Sequence, residues 1–467
     1  LRARRRQRRP SNPPLKVMKP RWLLLSILSL VSVEAGEMRF WTNTSGQLVE
    51  AEMTGVNTVR RAVQVRLKDG STAEIPIESL SPPDKDYSKQ QWALMQAAGG
   101  PASATAVAAP AALKLPPRLQ PRATADARLA KVLECGGTAE VEAAVIRSLD
   151  GFKARQNADG SWGRSNKAAM TGFALQCFYG HGVTPDSAEH GDVIVKGLAY
   201  LTSVSKANPH SMLSENWIGG KGGAGTYEHA IAAKALGEAC LFGRHGSKPL
   251  PGIREAFESA VKLIIAQQTS RGSWTYGGDV IAYRADSNGA DLSLANWHFL
   301  VLDLARECGV NIAGLDLCMQ KAVRYIKDIQ TKDGGFGGAN RDAHYNQWSL
   351  SGGALAGLYL MEGTSAGEGR KASKFLTDYL TAEPPDWNVN CNLYSWHGYA
   401  QALCLEGGAA WKSFASAVLR QALAAQEPDG SFKRGRPNWP ASDAADATYR
   451  QALCTLLLET PYRCALQ

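Results

Sequence analysis

The sequence predicts a multidomain chain: a small all-β, SH3-like barrel is followed by an all-α ring of six helical hairpins, an (α/α)6 toroid. Three observations predict this. Apolar and polar positions alternate over much of residues 36–92, residues 93–124 are rich in Ala and Pro, and a phrase of Gln, turn and aromatic recurs after residue 125. With 467 residues, 44% of them hydrophobic, the chain is long enough for two or three cores.

Residues 1–35 predict a targeting segment rather than a folded domain. After Met18 come a short basic stretch, the apolar run 22–33, and small residues at Val33 and Ala35, a pattern typical of a secretory signal peptide. We therefore expect export to the periplasm or outside the cell, with a mature chain beginning near Gly36. Residues 1–17 are either a basic extension or a stretch upstream of the true start. No later apolar run approaches the ~18 residues of a membrane span.

The net charge of +9 belongs to this terminus, because nine basic residues precede the first acid and the rest of the chain is balanced. The body of the protein therefore predicts no nucleic-acid partner. A basic arm that binds nucleic acid is the alternative for the terminus itself.

Residues 36–92 predict strands over 39–42, 62–67 and 73–77, a hairpin turn at 68–71 and a short helix over 84–91. This segment resembles the Sla-type homology domain, an SH3-like adaptor module with cytoskeletal and endocytic partners. The matching positions are Arg39, Trp41, 63–67, Asp69, Gly70, Ile75, Pro76, Leu80, Ser81, Asp84 and Tyr87. The resemblance implies a protein or peptide partner. The alternative is that Trp41 and Tyr87 are core residues only.

Residues 93–124 predict a flexible to semi-extended linker, since Ala and Pro cannot bury a core. Residues 125–467 predict the toroid. Its repeated phrase pairs a Gln with an aromatic six residues later, across a turn whose Gly ends a helix: Gln156 and Trp162, Gln268 and Trp274, Gln330 and Phe336, Gln426 and Phe432. We expect the Gln amide to bind backbone groups and the aromatic to seal neighbouring repeats.

A second helix with few charged residues follows each of these turns, and also follows each less complete copy of the phrase. These inner helices are predicted over 171–179, 227–242, 292–306, 347–361, 394–405 and 447–459. Because a helical hairpin cannot cover its own apolar faces, neighbouring hairpins must stack. Six of them, with charged outer and plain inner helices, favour closure into a ring.

The repeated phrase resembles the QW motif of squalene–hopene cyclases and the repeats of protein prenyltransferase β subunits, over residues 125–467. The resemblance implies an α/α toroid of the terpenoid cyclase/prenyltransferase type. The segments 227–232, 291–297, 392–403 and 446–449 are similar to exported bacterial proteins called prenyltransferase/squalene-oxidase-repeat proteins.

Function does not follow from this fold. The Asp-x-Asp-Asp acid motif of the cyclases is absent, and there is no Cys-x-x-Cys or P-loop. We expect no counterpart of the zinc site that the prenyltransferases build with Asp, Cys and His. We predict no metal and no cofactor; a zinc site of Asp443, Cys454 and His397 is a minor alternative. Among the nine cysteines, Cys308 with Cys318, or Cys454 with Cys464, could close short loops.

Polar and aromatic residues gather where the inner helices begin, and in a ring these positions would face one mouth. The catalytic candidates are Asp291, Asp446, His229 and His397. The candidate cavity residues are Tyr227, Glu228, Trp297, His298, His344, Trp348, Tyr394, Trp396 and Tyr449. The structural alternative is that the two Asp residues cap helices and the Trp residues wedge repeats apart.

Two functions stay open. In the first, the chain is an exported binding or scaffold protein whose small barrel docks to a partner. In the second, it is an enzyme that uses the toroid cavity, either terpene cyclase-like or polysaccharide-processing with acid–base carboxylates. A glycan or a lipid is the expected cavity ligand. Converging carboxylates would favour the enzyme, and a cavity plugged by aromatics would favour the scaffold.

Overall fold

The computed structural model of the protein describes residues 38–42, 48–57, 60–68, 70–97, 115–208, 210–215, 224–276, 289–342, 347–365, 367–436 and 447–464. The chain divides into two compact units, Leu1–Ala102 and Ser103–Gln467. The predicted signal peptide and residues 98–114 of the predicted linker lie outside the described residues.

The first unit is a four-stranded antiparallel sheet with the strand order β1-β2-β3-β4. The strands are β1 (Met38–Thr42), β2 (Leu48–Asn57), β3 (Ala62–Leu67) and β4 (Thr72–Pro76), and they precede helix α1 (Pro82–Ala97). Gly70, in the turn between β3 and β4, has a φ of 83°. Strand β2 is not among the predicted strands, because Gly55 interrupts its alternation where the register shifts.

Trp41 is the centre of this unit's core, which it forms with Met53, Val63, Val65 and other buried residues. Its indole N–H donates to the carbonyl of Ala51 at 3.0 Å. Tyr87 packs edge-on against the Trp41 ring, at 5.7 Å between centroids. Trp41 is therefore held from both sides as a structural residue.

The second unit is helical. It opens with a 3-10 helix at Pro117–Arg122 and α2 (Ala125–Glu134). Among the residues that the structure describes, the remaining twelve helices alternate between an outer and an inner layer. The outer helices are α3 (Glu140–Ala154), α5 (Gly191–Ala207), α7 (Ile253–Gln267), α9 (Leu315–Asp328), α11 (Gly367–Ala382) and α13 (Gly408–Ala425). The inner helices are α4 (Lys167–Gly180), α6 (Ala224–Arg244), α8 (Leu292–Glu307), α10 (Gln347–Glu362), α12 (Leu393–Glu406) and α14 (Ala447–Arg463).

The inner helices form a closed ring. Each packs against the next in the order α4, α6, α8, α10, α12 and α14, and α14 packs back against α4. At this closure the Arg463 guanidinium donates to the carbonyl of Gln176 at 2.6 Å. Most residues of α4 and α12 are buried, because each inner helix is covered on both sides. This is the predicted α/α toroid, built by six helical hairpins.

The four repeated glutamines join neighbouring outer helices. The Gln330 amide donates to Gly334 O at 3.0 Å in its own turn and to Glu368 O at 2.9 Å in the first turn of α11. Gln156 and Gln268 make the same pair of bonds, to α5 and α9. Gln426 donates to Ala144 O of α3 at 2.7 Å and so closes the outer layer.

The glycines of these turns fit a space with no room for a side chain. Gly430 has a φ of 81°, and a Cβ there would lie 2.0 Å from the carbonyl oxygen of Arg147. Gly272 has a φ of 84° and would place a Cβ 2.2 Å from Lys321 O. Each turn therefore presses its backbone directly onto the next outer helix, which only glycine allows.

The aromatic of the phrase is buried beneath the same turn. The indole N–H of Trp162 donates to Phe152 O at 2.7 Å, and that of Trp274 donates to Ile264 O at 2.9 Å. Both acceptors lie in the last turns of the preceding outer helix, so each Trp supplies a partner for a helix end.

Two further findings concern the described residues. None of their helices is long and apolar enough to cross a membrane. Cys308, Cys318 and Cys464 are free thiols, so neither of the short disulfide loops considered from the sequence is formed.

We expect Gln330→Ala to lower the free energy of unfolding of the ring by about 2 kcal/mol, since it removes two hydrogen bonds of about 1 kcal/mol each. Urea unfolding followed by tryptophan fluorescence measures the change. Gln120→Ala, at an exposed position of the 3-10 helix, is the control and should stay within about 0.5 kcal/mol of the parent. Equal losses in both variants would contradict the bridging role of Gln330.

Candidate functional site

The first turns of α8 and α12 border a pocket, which we call the mouth pocket. Its cavity volume is about 20 Å³, the space of about one water molecule. Its lining comes from three inner helices: Asn296, Trp297, Leu300, Gly353, Tyr394, His397, Gly398 and Gln401. Three of these residues, Trp297, Tyr394 and His397, are among the predicted site residues.

His397 is the most unusual side chain of the mouth pocket. It is only 5% exposed, and neither ring nitrogen has a hydrogen-bond partner among the described residues. Its ring stacks on Trp297 at 5.7 Å between centroids. Burial, together with the charges of Lys234 and Arg463, lowers the pKa of His397 to about 3. The imidazole is therefore neutral at physiological pH, with one N–H donor and one acceptor nitrogen.

Asn296 adds a second unsatisfied group to the pocket. Its amide nitrogen donates to Leu350 O at 3.2 Å and to the Tyr394 hydroxyl at 3.3 Å, which fixes the orientation of the side chain. Its Oδ1 is buried and has no partner within the described part of the chain. A buried polar atom without a partner is costly, which is why such atoms mark the place of a water molecule or a ligand.

Asp291 caps α8 beside the pocket. Its Oδ1 accepts from the backbone N–H of Ser293 at 2.8 Å and from the Ser293 hydroxyl. The Ser293 hydroxyl also meets the hydroxyls of Tyr227, at 2.5 Å, and Tyr276, at 3.1 Å. The predicted catalytic candidate Asp291 thus has the capping role that the structural alternative proposed.

Aromatic side chains cross the ring at the level of the mouth pocket. Phe173 of α4 packs edge-on against Trp297 of α8 at 5.3 Å, and against Tyr449 of α14 at 5.7 Å. Trp297 also meets Tyr394 at 6.2 Å. The contacts of Trp297 with Phe173 and with Tyr394 join helices that are not neighbours in the ring, so aromatic rings fill part of its centre.

Other predicted site residues face the outer layer. His229 is fully buried: its Nδ1 accepts from Leu213 N at 3.0 Å, and its Nε2–H donates to Ala260 O of α7 at 3.1 Å. His298 stacks on Trp274 at 4.5 Å. Trp396 packs on Trp387, and Trp348 stacks on Tyr379 of α11. None of these four residues lines the mouth pocket.

When the inner helices are aligned on their Ala-Leu pairs, at 235–236 and 402–403, the sequence predicts equivalent positions for His229 and Trp396. The structure places both toward the outer layer, whereas His397, one residue after Trp396, faces the pocket. One residue turns a helix by about 100°, so adjacent positions can face opposite layers. Glu228 is buried, and Asp446, His344 and Asp443 lie outside the described residues.

Sequence reasoning did not identify Asn296, Leu300, Gly353, Gly398 and Gln401. Two of them carry a signal that can be recognised afterwards. Gln401 follows His397 by four residues, the spacing of one helix face, and Asn296 directly precedes Trp297. The two glycines let α10 and α12 approach closely: a Cβ on Gly398 would lie 2.8 Å from the backbone nitrogen of Gly353.

The opposite ends of the inner helices border a second space, the basal cavity, of about 60 Å³. A buried ionic cluster lines it. Burial and the neighbouring Arg463 lower the pKa of Arg122 to about 10, and burial lowers the pKa of Lys234 to about 8. Burial alone would raise the pKa of Glu238, but the cations around it lower that pKa to about 2. Glu238 is therefore an ionised counterion within a surplus of cations.

No group of three or more His, Cys, Asp or Glu side chains that could hold a metal ion occurs within the described ranges. The minor zinc alternative involves Asp443, which those ranges exclude. His397 has aromatic and amide neighbours in the mouth pocket instead of acidic or thiol ligands.

Comparison with protein-family models and with curated protein sequences gave no match. Among solved structures, the chain is similar to an inactive variant of an α-1,6-mannanase, GH76A of Salegentibacter sp. HEL1_6, in complex with α-1,6-mannotetrose. The two share 12% sequence identity at a TM-score of 0.47, over 68% of this chain and 98% of that chain.

We expect acid to destabilise the ring through its buried neutral histidines. Burial lowers the pKa of His397 and His298 to about 3 and that of His229 to about 4, whereas an unfolded histidine titrates near 6.5. Below pH 6.5 the unfolded chain therefore binds more protons, and each such histidine removes up to about 1.4 kcal/mol of stability per pH unit.

Urea unfolding at pH 7, 6 and 5 tests this expectation. His397→Gln should reduce the loss of stability on acidification by the share of one histidine. His245→Gln, at a partly exposed position beyond α6, serves as the control and should keep the parent's slope. A parent whose stability is the same at pH 5 and pH 7 would refute the burial argument.

Proposed function

We propose that the helical ring acts on carbohydrate: it binds a neutral sugar unit at the opening of the mouth pocket, with a hydroxyl group of the sugar entering the pocket, as part of a polysaccharide-processing function. The observation that carries this proposal is His397, a nine-tenths buried imidazole with two unpartnered nitrogens in an aromatic pocket. A groove built only as a scaffold has no need for such a group, because leaving it unsatisfied costs stability.

The chemistry of the pocket favours a ligand with hydroxyl groups. Neutral His397 offers one donor and one acceptor, and the Asn296 Oδ1 offers a second acceptor. A sugar hydroxyl can both donate and accept, so neighbouring hydroxyls of one sugar ring can satisfy this set. Trp297 and Tyr394 supply the aromatic walls on which the C–H faces of sugars pack. A cationic ligand is disfavoured by the nearby charges of Lys234 and Arg463.

Catalysis is the further part of the proposal. Hydrolysis of a glycosidic bond needs two carboxyl groups about 5–9.5 Å apart. Asp291 lies on the same side of the ring as the mouth pocket, but its carboxylate caps helix α8. Asp446 directly precedes α14 in the sequence. We assign the acid–base roles to these two residues as a hypothesis that the hydrolysis assay below tests. A pure binding or scaffold role is the second candidate, favoured by the aromatic packing around Trp297.

The narrower family assignments belong to the same proposal. We infer a terpenoid cyclase/prenyltransferase type of toroid from the repeated Gln and aromatic positions. We infer an SH3-like, Sla-type module with a protein or peptide partner from Trp41, Tyr87 and their matching neighbours. Export directed by residues 18–35 would bring the ring to polysaccharides outside the cytoplasm. The domain bounds 36–92 and 125–467 are proposals of the same kind.

A panel of neutral oligosaccharides tests the function. The full chain is screened against gluco-, manno-, galacto- and N-acetylglucosamine tetrasaccharides, and binding is measured by calorimetry. We expect at least one to bind, and His397→Phe to weaken it about tenfold or more, as expected for the loss of one or two hydrogen bonds.

His298→Phe is the matched control, because it makes the same change in another buried histidine of the inner ring that lies outside the pocket. It should leave the affinity unchanged, and thermal melts verify that both variants fold. Release of reducing ends, abolished in Asp446→Asn and Asp291→Asn, would establish hydrolysis. Binding without release would leave a lectin-like role, and no binding to any panel member would refute the proposal.

A further inference from the structure

A wide cleft lies on the outer layer of the ring. We call it the outer cleft, and it is lined by residues 386–388, 420–421, 424–425 and 433–434. Its cavity volume is about 530 Å³, within the ~300–1,000 Å³ typical of small-molecule sites. The mouth pocket and the basal cavity, at about 20 and 60 Å³, are much smaller. The outer cleft therefore has room for a whole small ligand.

Hydrogen bonds fix the walls of the outer cleft. The N–H of Arg436 donates to Trp387 O at 2.8 Å, and the N–H of Lys433 donates to Ala425 O, at the end of α13, also at 2.8 Å. The side-chain carbonyl of Gln421 accepts from the N–H of Trp387. These bonds join three segments of the chain, so the shape of the cleft is set before a ligand arrives, which reduces the cost of binding.

The outer cleft carries an excess of positive charge. Arg420 of α13, Lys433 and Arg434 line it together with one carboxylate, that of Asp386, which leaves the lining with a formal charge of +2. Arg420 is exposed, and no carboxylate within the described ranges pairs with its guanidinium. Lys433 lies 3.8 Å from Glu427, but an exposed pair of this kind contributes little. The cleft is therefore suited to an anionic ligand.

The rest of the lining favours separate carboxylates on a sugar over a compact polyanion. An arginine binds a carboxylate through two parallel hydrogen bonds, and a lysine adds a point charge. Asp386 would repel a dense cluster of negative charge. One of its oxygens accepts from the N–H of Asn388 at 2.8 Å, and the other can accept from a hydroxyl group. Trp387 and Ala424 add apolar surface, on which the C–H face of a sugar can pack.

From these features we propose that the outer cleft binds an acidic oligosaccharide, a chain of sugars that carry carboxylate groups. Arg420 and Lys433 pair with the carboxylates of the sugars, and Asp386 and Asn388 bind their hydroxyl groups. The outer cleft is separate from the mouth pocket, so this inference goes beyond the proposed function and does not depend on it. An acidic polysaccharide held there is anchored to the outer layer of the ring.

Acidic tetrasaccharides and their methyl esters test this inference. Tetramers of galacturonate, glucuronate and mannuronate, and the fully esterified form of each, are titrated into the full chain and followed by calorimetry. We expect at least one acidic tetramer to bind. Its ester should bind at least tenfold more weakly, because esterification removes the charges and keeps the sugar rings. Raising NaCl from about 50 to about 300 mM should weaken binding of the acidic form severalfold.

The double variant Arg420→Gln with Lys433→Gln locates the site. Both side chains are exposed, so the fold should stay intact, while the affinity for the acidic tetramer should fall at least tenfold. Arg324→Gln with Lys412→Gln is the matched control, because it makes the same change in charge at exposed positions that do not line the cleft. The control should keep the parent's affinity, and thermal melts verify that both proteins fold.

Three results would overturn the inference: no acidic tetramer binds, acid and ester bind equally, or the two double variants lose the same affinity. Displacement of the bound tetramer by inorganic phosphate at a similar concentration would also overturn it, since the cleft would then be a site for compact anions. The neutral tetrasaccharides of the mouth-pocket assay are titrated in parallel, and Arg420→Gln with Lys433→Gln should bind them like the parent. Their failure to bind would refute the proposed function and leave the outer cleft unaffected.

Discussion

The ring depends on the convergence of parallel inner-helix ends on one side. The C-terminal halves of α6, α8, α10, α12 and α14 share the basal cavity, so their carbonyl ends point to one side of the ring. A helix C-terminus carries a partial negative charge of about half an electron. Lys234, Arg122 and Arg463 lie at this side and offset it, and Glu238 balances their surplus. Burial raises the pKa of Glu459, beside Arg463, well above its usual range.

The outer layer is stabilised by one kind of contact that is repeated between neighbouring helices. Gln156, Gln268 and Gln330 each bond to their own turn and to the start of a neighbouring outer helix, while the glycine of the turn lacks the side chain that would hold the two apart. The same geometry joins the last outer helix to the first through Gln426. Because many similar contacts in the outer layer share the stabilisation of the fold, the mouth of the ring can hold polar groups that lack hydrogen-bond partners. Within each repeat, the outer helix thus contributes mainly to stability, and the inner helix carries the residues of the candidate site.

Much of the ring could be predicted from the sequence, because runs of small apolar residues and recurring Gln–Gly–aromatic phrases are local signals. The inner helices α8 and α10 begin at the residues predicted for them, Leu292 and Gln347. The site was harder to predict, since the face that a residue presents depends on how its helix is rotated against its neighbours. His229 and His397 both lie within the first two turns of inner helices, but only His397 faces the pocket. The Leu115–Arg122 segment, rich in Pro and predicted as linker, packs on α14 and α2 because its arginines find buried carboxylates.

Closure of the ring joins residues that are far apart in the sequence. Gln426 and Ala144 are 282 positions apart, and Arg463 and Gln176 are 287 apart. During synthesis the first hairpin leaves the ribosome long before the last one exists, so its open flank stays without cover for most of that time. Contacts of such long range slow folding and expose apolar surface to other chains. A nascent chain of this architecture therefore gains most from a chaperone that shields α3 and α4 until α14 has emerged.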